Sequence, residues 1–424
     1  MDLRPFGGWR YSVSNFDDLI APPYDVLSAA DKQSLLERSK NNIVAIDMPH
    51  VPPVGEGPAE VYAAAARTLK QLQAQGVLKQ DTKPAIYAYA QEFQWQGKTF
   101  CRRAILAGVR ATKFGEDVIP HEHTFAGPKA DRLQLTIHTK TQLSPIFGFF
   151  KGAQTVLAEL WNSLQSRPAD QQGVLRGVRE RLWVVDDEQM IGKIASALRD
   201  KKVYIADGHH RYTTAMNYRD SLLEQGVIDA NHESNYVLFA LVERDDPGML
   251  ILPTHRVLHG LSASFSVDSL AACAKGFEWT NLPAGSFDFS DAAAVLARYG
   301  KHAMAVVADG GKDIRIAKFI KPELMKQAQP QQSEAWRELD VAILQHMLLE
   351  GPMDKWKGAE YKVEYTPDAQ IVQTLCSGGA VGFIIQGTPI ESVEAVANAG
   401  GAMPHKSTYF YPKLSTGVVL KSLQ

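Results

Sequence analysis

Apolar and polar positions along this chain of 424 residues alternate in some stretches and recur at helical spacing in others, which predicts a mixture of strands and helices. Ala85 to Phe93 alternates with Tyr87 and Tyr89 on one face, Gln96-Gly97-Lys98 supplies a turn, and Phe100 to Val109 returns, the pattern of a β-hairpin. Ala59 to Gln75 is rich in Ala, Leu and Gln and stops at Gly76, as a helix would. Pro49 to Pro58 before it is a Pro- and Gly-rich connection. From Phe114 to Arg132 apolar anchors are few, so a long polar loop is expected there. Pro145 to Phe150 and Leu182 to Val185 read as strands, Asp187 to Arg199 as a helix, Val203 to Ala206 as a buried strand, and His209 to Gln225 as a helix closed by Gly226. Further strands are expected at Asn235–Glu243, Met249–Pro253, Ala303–Ala308, Tyr361–Tyr365, Ala380–Ile385 and Gly417–Lys421, with helices at Glu338–Leu349, Gln370–Cys376 and Ile390–Ala399. The expected fold class is a mixed α+β or α/β body, not a bundle or a sandwich.

Length points to two or three domains or subdomains. Hydrophobic residues make up 45% and charged residues 22%, ordinary for a globular protein. The net charge of −2 gives no global pull toward nucleic acid or an anionic membrane, although a local basic site is compatible with it. Cys101, Cys273 and Cys376 are odd in number and far apart, with no C-x-x-C, which argues against a thiolate zinc site or a disulfide framework. The start shows no secretory signal pattern and the apolar runs are too short to span a bilayer, so a cytoplasmic protein is expected.

The chemistry concentrates where a buried strand meets a helix, at Ala206-Asp207-Gly208-His209-His210-Arg211-Tyr212. Asp207 suits an N-cap, and Gly208 allows a sharp turn and close approach of a ligand. The first-turn amides would then form an anion site. Three basic residues at a helix N-terminus oppose the macrodipole by roughly 0.3–1 kcal/mol each, which a bound phosphate or carboxylate would offset. The plain alternative is that Arg211 pairs with a local acid and the histidines are ordinary surface or core residues. Adjacent histidines on a helix point about 100° apart, which hinders their sharing one metal ion.

Three other segments carry candidate groups. In His121-Glu122-His123-Thr124, Glu122 suits a general base or a magnesium ligand, and Lys129 and Arg132 suit phosphate oxygens. Leu252-Pro253-Thr254-His255-Arg256 puts a His-Arg pair at a strand end. Met403 to Lys413 packs two lysines, Lys406 and Lys413, with His405, Ser407 and Thr408 into an aromatic stretch suited to clamping phosphates or a purine. Lys406-Ser407-Thr408 matches the tail of a P-loop, but no G-x-x-x-x-G precedes it. Ile20-Ala21-Pro22-Pro23-Tyr24-Asp25-Val26 is a rigid extended turn.

With those motifs in view, the chain resembles a bacterial and archaeal family known as the domain of unknown function numbered ten-fifteen. The resemblance rests on I-A-P-P-Y-D-V at 20–26, H-E-x-T at 121–124, D-G-H-H-R-Y at 207–212, L-P-T-H-R at 252–256 and P-H-K-S-T-Y-F-Y-P-K at 404–413. The D-G-H-H-R segment also looks, more distantly, like that of free-serine kinases of ParB/sulfiredoxin type. That resemblance implies a ParB/sulfiredoxin-like core with additional α/β subdomains: an N-terminal subdomain over 1–113, the core over 114–258 and a C-terminal subdomain over 259–424. It implies that Asp207, Gly208, His210 and Arg211 handle phosphate and metal and that Glu122 acts on a hydroxyl.

The expected activity is therefore phosphoryl transfer on a small metabolite, serine or phosphoserine, in either direction, with Mg²⁺ and with ATP or ADP as partner nucleotide. Glu122, Asp207 and His210 are the expected catalytic groups, and Asp207 the expected metal ligand. His121, Lys129, Arg132, Gly208, His209, Arg211, His255, Arg256, Lys406, Ser407 and Thr408 are the expected phosphate or substrate ligands. The rival readings are a nucleotide-dependent ParB-like binding or regulatory protein and a metal-dependent hydrolase using His121, His123, His209 and His210. Membrane and nucleic-acid partners are not expected, and oligomeric state is not fixed by the sequence.

Overall fold

The computed structural model describes residues 1–53, 55–122, 124 and 126–424. Two compact units are present, one made of Met1–Met249 with Pro412–Gln424 and the other of Leu250–Tyr411. Strands from before residue 113 pair directly with Tyr236–Glu243, so the main sheet of the first unit draws on both sides of that position. Trp9–Tyr11 and Leu78–Gln80 form a separate two-stranded sheet.

The first unit is built on a nine-stranded mixed sheet. Its strands are β1 (Leu3–Arg4), β2 (Ile86–Trp95), β3 (Lys98–Arg110), β4 (Val118–Ile119), β5 (Ile146–Phe150), β6 (Gln171–Leu175), β7 (Val178–Val185), β8 (Val203–Asp207) and β9 (Tyr236–Glu243). The order is β4-β8-β5-β9-β3-β2-β7-β6, with β1 added beside β3. The β2–β3 hairpin forms as its alternation predicts. Gln96 and Gly97 take φ of 47° and 72°, the left-handed pair that a two-residue turn between right-twisted strands requires. β9, a continuous apolar run, is buried along its whole length between β5, parallel to it, and β3, antiparallel.

Five helices matter for the site: α1 (Ala59–Ala74), α2 (Ala126–Thr139), α3 (Gln154–Leu164), α4 (Glu188–Leu198) and α5 (His209–Glu224). α3 and α4 bury Leu157, Leu160, Ile194 and Leu198 in one core with Ile105, Trp183 and Val185 of the sheet. α1 packs on α2, and α2 on α5.

The segment expected to be a loop, Phe114 to Arg132, departs from that reading. It contains β4, parallel to β8, and then the first half of α2. Its inward face carries Asp131, Arg132, Leu135 and Thr139, all buried. Two of those four are charged, so an apolar stripe does not announce the helix. Gly417–Lys421 is buried as expected, but it joins its neighbours by isolated bridges, with regular pairing only at Lys421–Ser422.

The second unit holds a six-stranded antiparallel sheet. Its strands are β11 (His255–Leu261), β12 (Phe277–Asn281), β13 (Ala303–Ala308), β14 (Asp313–Phe319), β15 (Lys357–Thr366) and β16 (Val381–Ile384), ordered β12-β14-β13-β16-β11-β15. A two-stranded ribbon joins β10 (Leu250–Leu252) to β17 (Tyr409–Tyr411). Val257, Val307, Ile316, Val372 and Ile384 anchor its core. The helix expected over Glu338–Leu349 is split into Asp340–Ile343 and a π-helical turn at Leu344–Leu349. Among the described residues no helix is long and apolar enough to cross a membrane.

Central packing in the first unit leaves no room beside Gly148 of β5. A methyl there would sit 2.5 Å from Val203 and 2.9 Å from Phe239. Gly148→Ala should lower the urea stability by about 1–3 kcal/mol with an unchanged m-value, read from an equilibrium unfolding curve.

Candidate functional site

β8 ends at Asp207, with a register shift against β5 between Ile205 and Asp207. Gly208 then turns the chain at φ 100° and ψ 25°, and α5 starts at His209. A side chain at Gly208 would lie about 3.0 Å from the Arg211 guanidinium, so glycine is required for both backbone and space. Gly208, not Asp207, is the N-cap residue, and no side chain caps the helix. Helix geometry leaves the amides of His209, His210 and Arg211 without acceptors inside the helix.

The Asp207 carboxylate is engaged elsewhere. Oδ2 lies 3.3 Å from Arg211 Nη2, and Oδ1 lies 3.4 Å from Lys413 Nζ. Burial alone would raise the acid's pKa, but the pull of Lys413 and Arg211 wins and brings it down to about 2. Arg211 also donates to Ser144 Oγ at 3.3 Å and to the Pro145 carbonyl. Lys413 is placed from behind by a buried polar network. Gln91 Nε2 donates to the Lys413 carbonyl at 3.2 Å, and Arg102 Nη2 donates to the Pro412 carbonyl at 2.6 Å. Gln91 Nε2 also donates to Glu180, as do Tyr89 and Ser415, and burial nonetheless holds the Glu180 carboxyl above its usual range.

The three basic residues at the start of α5 are not three cations. His209 is buried, and its Nε2 accepts from the His121 backbone N–H at 3.2 Å, which places its proton on Nδ1. The His121 and His209 rings meet edge to face, 4.7 Å between centroids. Burial pushes His121 down to about 4 and His209 well below its usual value, so both are neutral at pH 7. Burial also lowers His210. The dipole conflict expected from sequence therefore reduces to Arg211, which pairs with Asp207.

Arg132, expected as a phosphate ligand, is buried on α2 between two acids. Its Nε donates to Asp131 at 2.6 Å and its Nη1 to Asp47 at 3.2 Å, with the guanidinium 4.0 Å above the Tyr24 ring. Asp131 also accepts from Tyr62 at 2.8 Å and lies 2.6 Å from His50 Nε2. Arg132 and Arg211 line one cavity of about 60 Å³ with Tyr24, Asp47 and Ser144, enough for a few waters or one small oxyanion. Lys129 lies half-buried one turn before Arg132, and Glu122 lies half-buried in the loop after His121. His123 lies outside the described residues.

The remaining candidates belong to the second unit. Arg256 is almost wholly buried, donates to the carbonyls of Thr254 and Lys406, and sits 5.7 Å from the Tyr365 ring centre. His255 accepts from the Ile385 amide at 3.3 Å, and burial lowers its pKa to about 3. Lys406 takes a φ of 57° and is exposed, Ser407 donates to the Pro404 carbonyl, and Thr408 is half-buried. The structure thus brings Arg256 onto the Lys406 turn in that unit. In the first unit it brings Asp207, Arg211, His209, His121 and Arg132 into one buried neighbourhood.

Tyr24, Asp47 and Asp131 carry no expected role in the sequence, and Lys413 stands there only as one of two lysines in a phosphate-clamping stretch. The rigid Pro22-Pro23 turn before Tyr24 and the Pro412-Lys413 step were the available signals. Among the described residues no three His, Cys, Asp or Glu side chains cluster to hold a metal ion. Asp207 already answers two cations, and His209 Nε2 is taken by an amide. Both thus already have protein partners, and His123 of the expected histidine set lies outside the described residues.

A mixed α/β protein whose polar interior gathers at a strand–glycine–helix junction is the class that fold and site define. Residues 3–342 match the family described as "Protein of unknown function (DUF1015)", and the chain belongs to that family. No curated protein matches the chain significantly. Among solved structures it is similar to a free serine kinase variant in complex with AMP, at 13% identity and a TM-score of 0.35, covering 72% of this chain and 86% of that one. It is similar also to SbnI with C-terminal truncation from Staphylococcus aureus, at 13% identity and a TM-score of 0.34, covering 73% and 84%. A conserved hypothetical protein from Pyrococcus furiosus matches at 14% and 0.32, covering 73% and 92%.

Two measurements check this electrostatic arrangement. Unfolded His121 takes up a proton below about pH 6.5, whereas folded His121 resists it down to about 4. Stability is thus full above pH 6.5 and falls by about 3 kcal/mol toward pH 4 from this residue alone. His121→Asn should flatten that slope in a series of thermal unfolding curves. Arg132→Met, which strands Asp131 and Asp47 in the interior, should cost about 3–5 kcal/mol in urea unfolding.

Proposed function

We propose that the chain is a phosphotransfer enzyme acting on a small hydroxy or phospho amino acid, serine or phosphoserine, with ATP or ADP as the nucleotide partner. The observation that carries this reading is the pair of cations, Arg211 and Lys413, converging on Asp207 at the glycine-turned start of α5. One carboxylate facing two cations leaves a net positive charge beside the first turn of α5, and a phosphoryl group is the ligand that suits both the charge and a helix N-terminus. The resemblance of Asp207-Gly208-His209-His210-Arg211 to the D-G-x-H-R segment of free-serine kinases supports the same chemistry and a ParB/sulfiredoxin-type core around it.

Phosphoryl transfer asks mainly for positioning and charge neutralisation. In this reading Arg211 and the α5 amides hold the transferred group, Lys413 neutralises charge that develops on it, and Asp207 keeps both cations aimed. Neutral His210 serves proton transfer at the site's edge. Glu122 takes the proton of the attacking hydroxyl in the kinase direction and returns it to the leaving oxygen in the reverse direction. No step is assigned to a metal ligand of this chain.

Phosphorus NMR of the purified protein with serine plus ATP or ADP, and with phosphoserine with and without ADP, tests the assignment. Growth of a phosphoserine signal, of free phosphate or of a new nucleotide phosphate is expected. Silence in all mixtures would remove serine as the substrate. Arg211→Met should lower kcat by about 10²–10³. Glu122→Gln should abolish turnover with ligand binding largely kept, as read by calorimetric titration; unchanged turnover would take Glu122 out of the mechanism.

A further inference from the structure

A second cavity, of about 480 Å³, opens in the first unit over β2, β3 and β7. It shares no lining residue with the Asp207 site. Successive residues on a strand point to opposite faces, so Arg102 faces the Pro412 segment while its neighbour Arg103 faces this cavity.

The floor is set by strand register. Arg181 of β7 pairs with Ala90 of β2, and Ala90 pairs with Arg103 of β3. The two arginines therefore stand on one row, about 10 Å apart at their Cα atoms, with only a methyl group between them. Two pairs further along, Trp183 faces the same way, and Trp161 of α3 meets it edge to face with 5.9 Å between centroids. Arg167 and Pro168 complete the rim after α3.

Three arginines line this cleft, and no aspartate or glutamate does. The acids that pair with them are absent from the lining: Asp246 for Arg103 at 3.1 Å, Asp170 for Arg167 at 2.6 Å and Glu92 for Arg181 at 3.4 Å. The Arg181 contact is longer than a strong charge-assisted bond. Its Nε is buried and finds no hydrogen-bond acceptor among the described residues. A guanidinium has five donors, and these three are incompletely used.

We propose that this cleft binds a small planar anion: an aromatic or heteroaromatic ring against Trp161 and Trp183, with its carboxylate or phosphate on Arg181 and Arg103. The volume falls in the range of ordinary small-molecule pockets, and the lining has their usual mixture of apolar wall and few convergent polar groups. Tryptophan faces and edges favour a ring over an aliphatic chain of equal size. Aliphatic serine would not use this wall, so the cleft is a site separate from the proposed reaction.

The test uses the full chain with two probes, para-fluorobenzoate and para-fluorophenyl phosphate, followed by fluorine NMR line broadening. Cys101 lines the same cavity, so its alkylation by N-ethylmaleimide, read by mass spectrometry, reports occupancy independently. Saturable one-to-one broadening by at least one probe is expected, together with slower Cys101 labelling; which probe binds tells carboxylate from phosphate. Arg181→Gln should weaken binding about tenfold or more. Arg103→Gln should act in the same direction, and Ala90→Leu, which fills the hollow and keeps every charge, should abolish binding. Arg211→Met should leave it unchanged. Absence of saturable binding by both probes overturns the proposal, as does binding that survives both Arg181→Gln and Ala90→Leu, or binding lost with Arg211→Met. Activity toward serine does not enter any of these readouts, so this proposal and the phosphotransfer reading fail separately.

Discussion

The Asp207 carboxylate ties together three stretches of the first unit that are remote in sequence. It closes β8, it draws in Arg211 from the first turn of α5, and it receives Lys413 from the segment that follows the second unit. Taking one carboxylate and two cations out of water is costly unless each finds a partner. Here the partners are arranged so that no single ion is left alone, and the geometry of the strand end, the glycine turn and the Lys413 segment all follow from that requirement. Loss of Asp207 would leave two half-buried like charges without the acid that they share.

Around this centre the interior is polar to an unusual degree for a sheet-and-helix unit, yet it is ordered by simple rules. Arg132 lies between Asp131 and Asp47, and Asp131 collects His50 and Tyr62 as well. Arg102, Gln91, Glu180, Tyr89 and Ser415 form a second chain of bonds that fixes the backbone at 412–415. Histidines that would add surplus positive charge are kept neutral by burial. Such networks are stable when complete and fragile when one member is missing.

The sequence makes the regular parts of the fold easy to read and the polar interior hard. The β2–β3 hairpin, β8, β9, α1, α4 and α5 follow from alternation, apolar runs and glycine stops, even though Gln91, Arg102 and His209 among them are buried. α2 does not, because its buried face includes Asp131 and Arg132, whose burial depends on Asp47, Tyr62 and Tyr24 far away in the chain. The same reason separates the two halves of the site. Asp207, Gly208 and Arg211 are legible from a strand–turn–helix pattern within a few residues. Lys413 and Asp47 are not, since nothing local shows which carboxylate or guanidinium they meet. The expectation of Asp207 as an N-cap failed because the left-handed Gly208 starts the helix, and the acid turns instead to its two cations.

The first unit is interrupted by the second: the chain leaves it at Met249 and comes back at Pro412. During synthesis, Asp207 and Arg211 therefore exist for the time it takes to make more than a hundred and fifty residues before Lys413 is available. Until then Glu180 lacks Ser415, Arg102 lacks the Pro412 carbonyl, and the polar interior is incomplete. The ion pair between Lys413 and Asp207 can therefore close only after the inserted unit has been made.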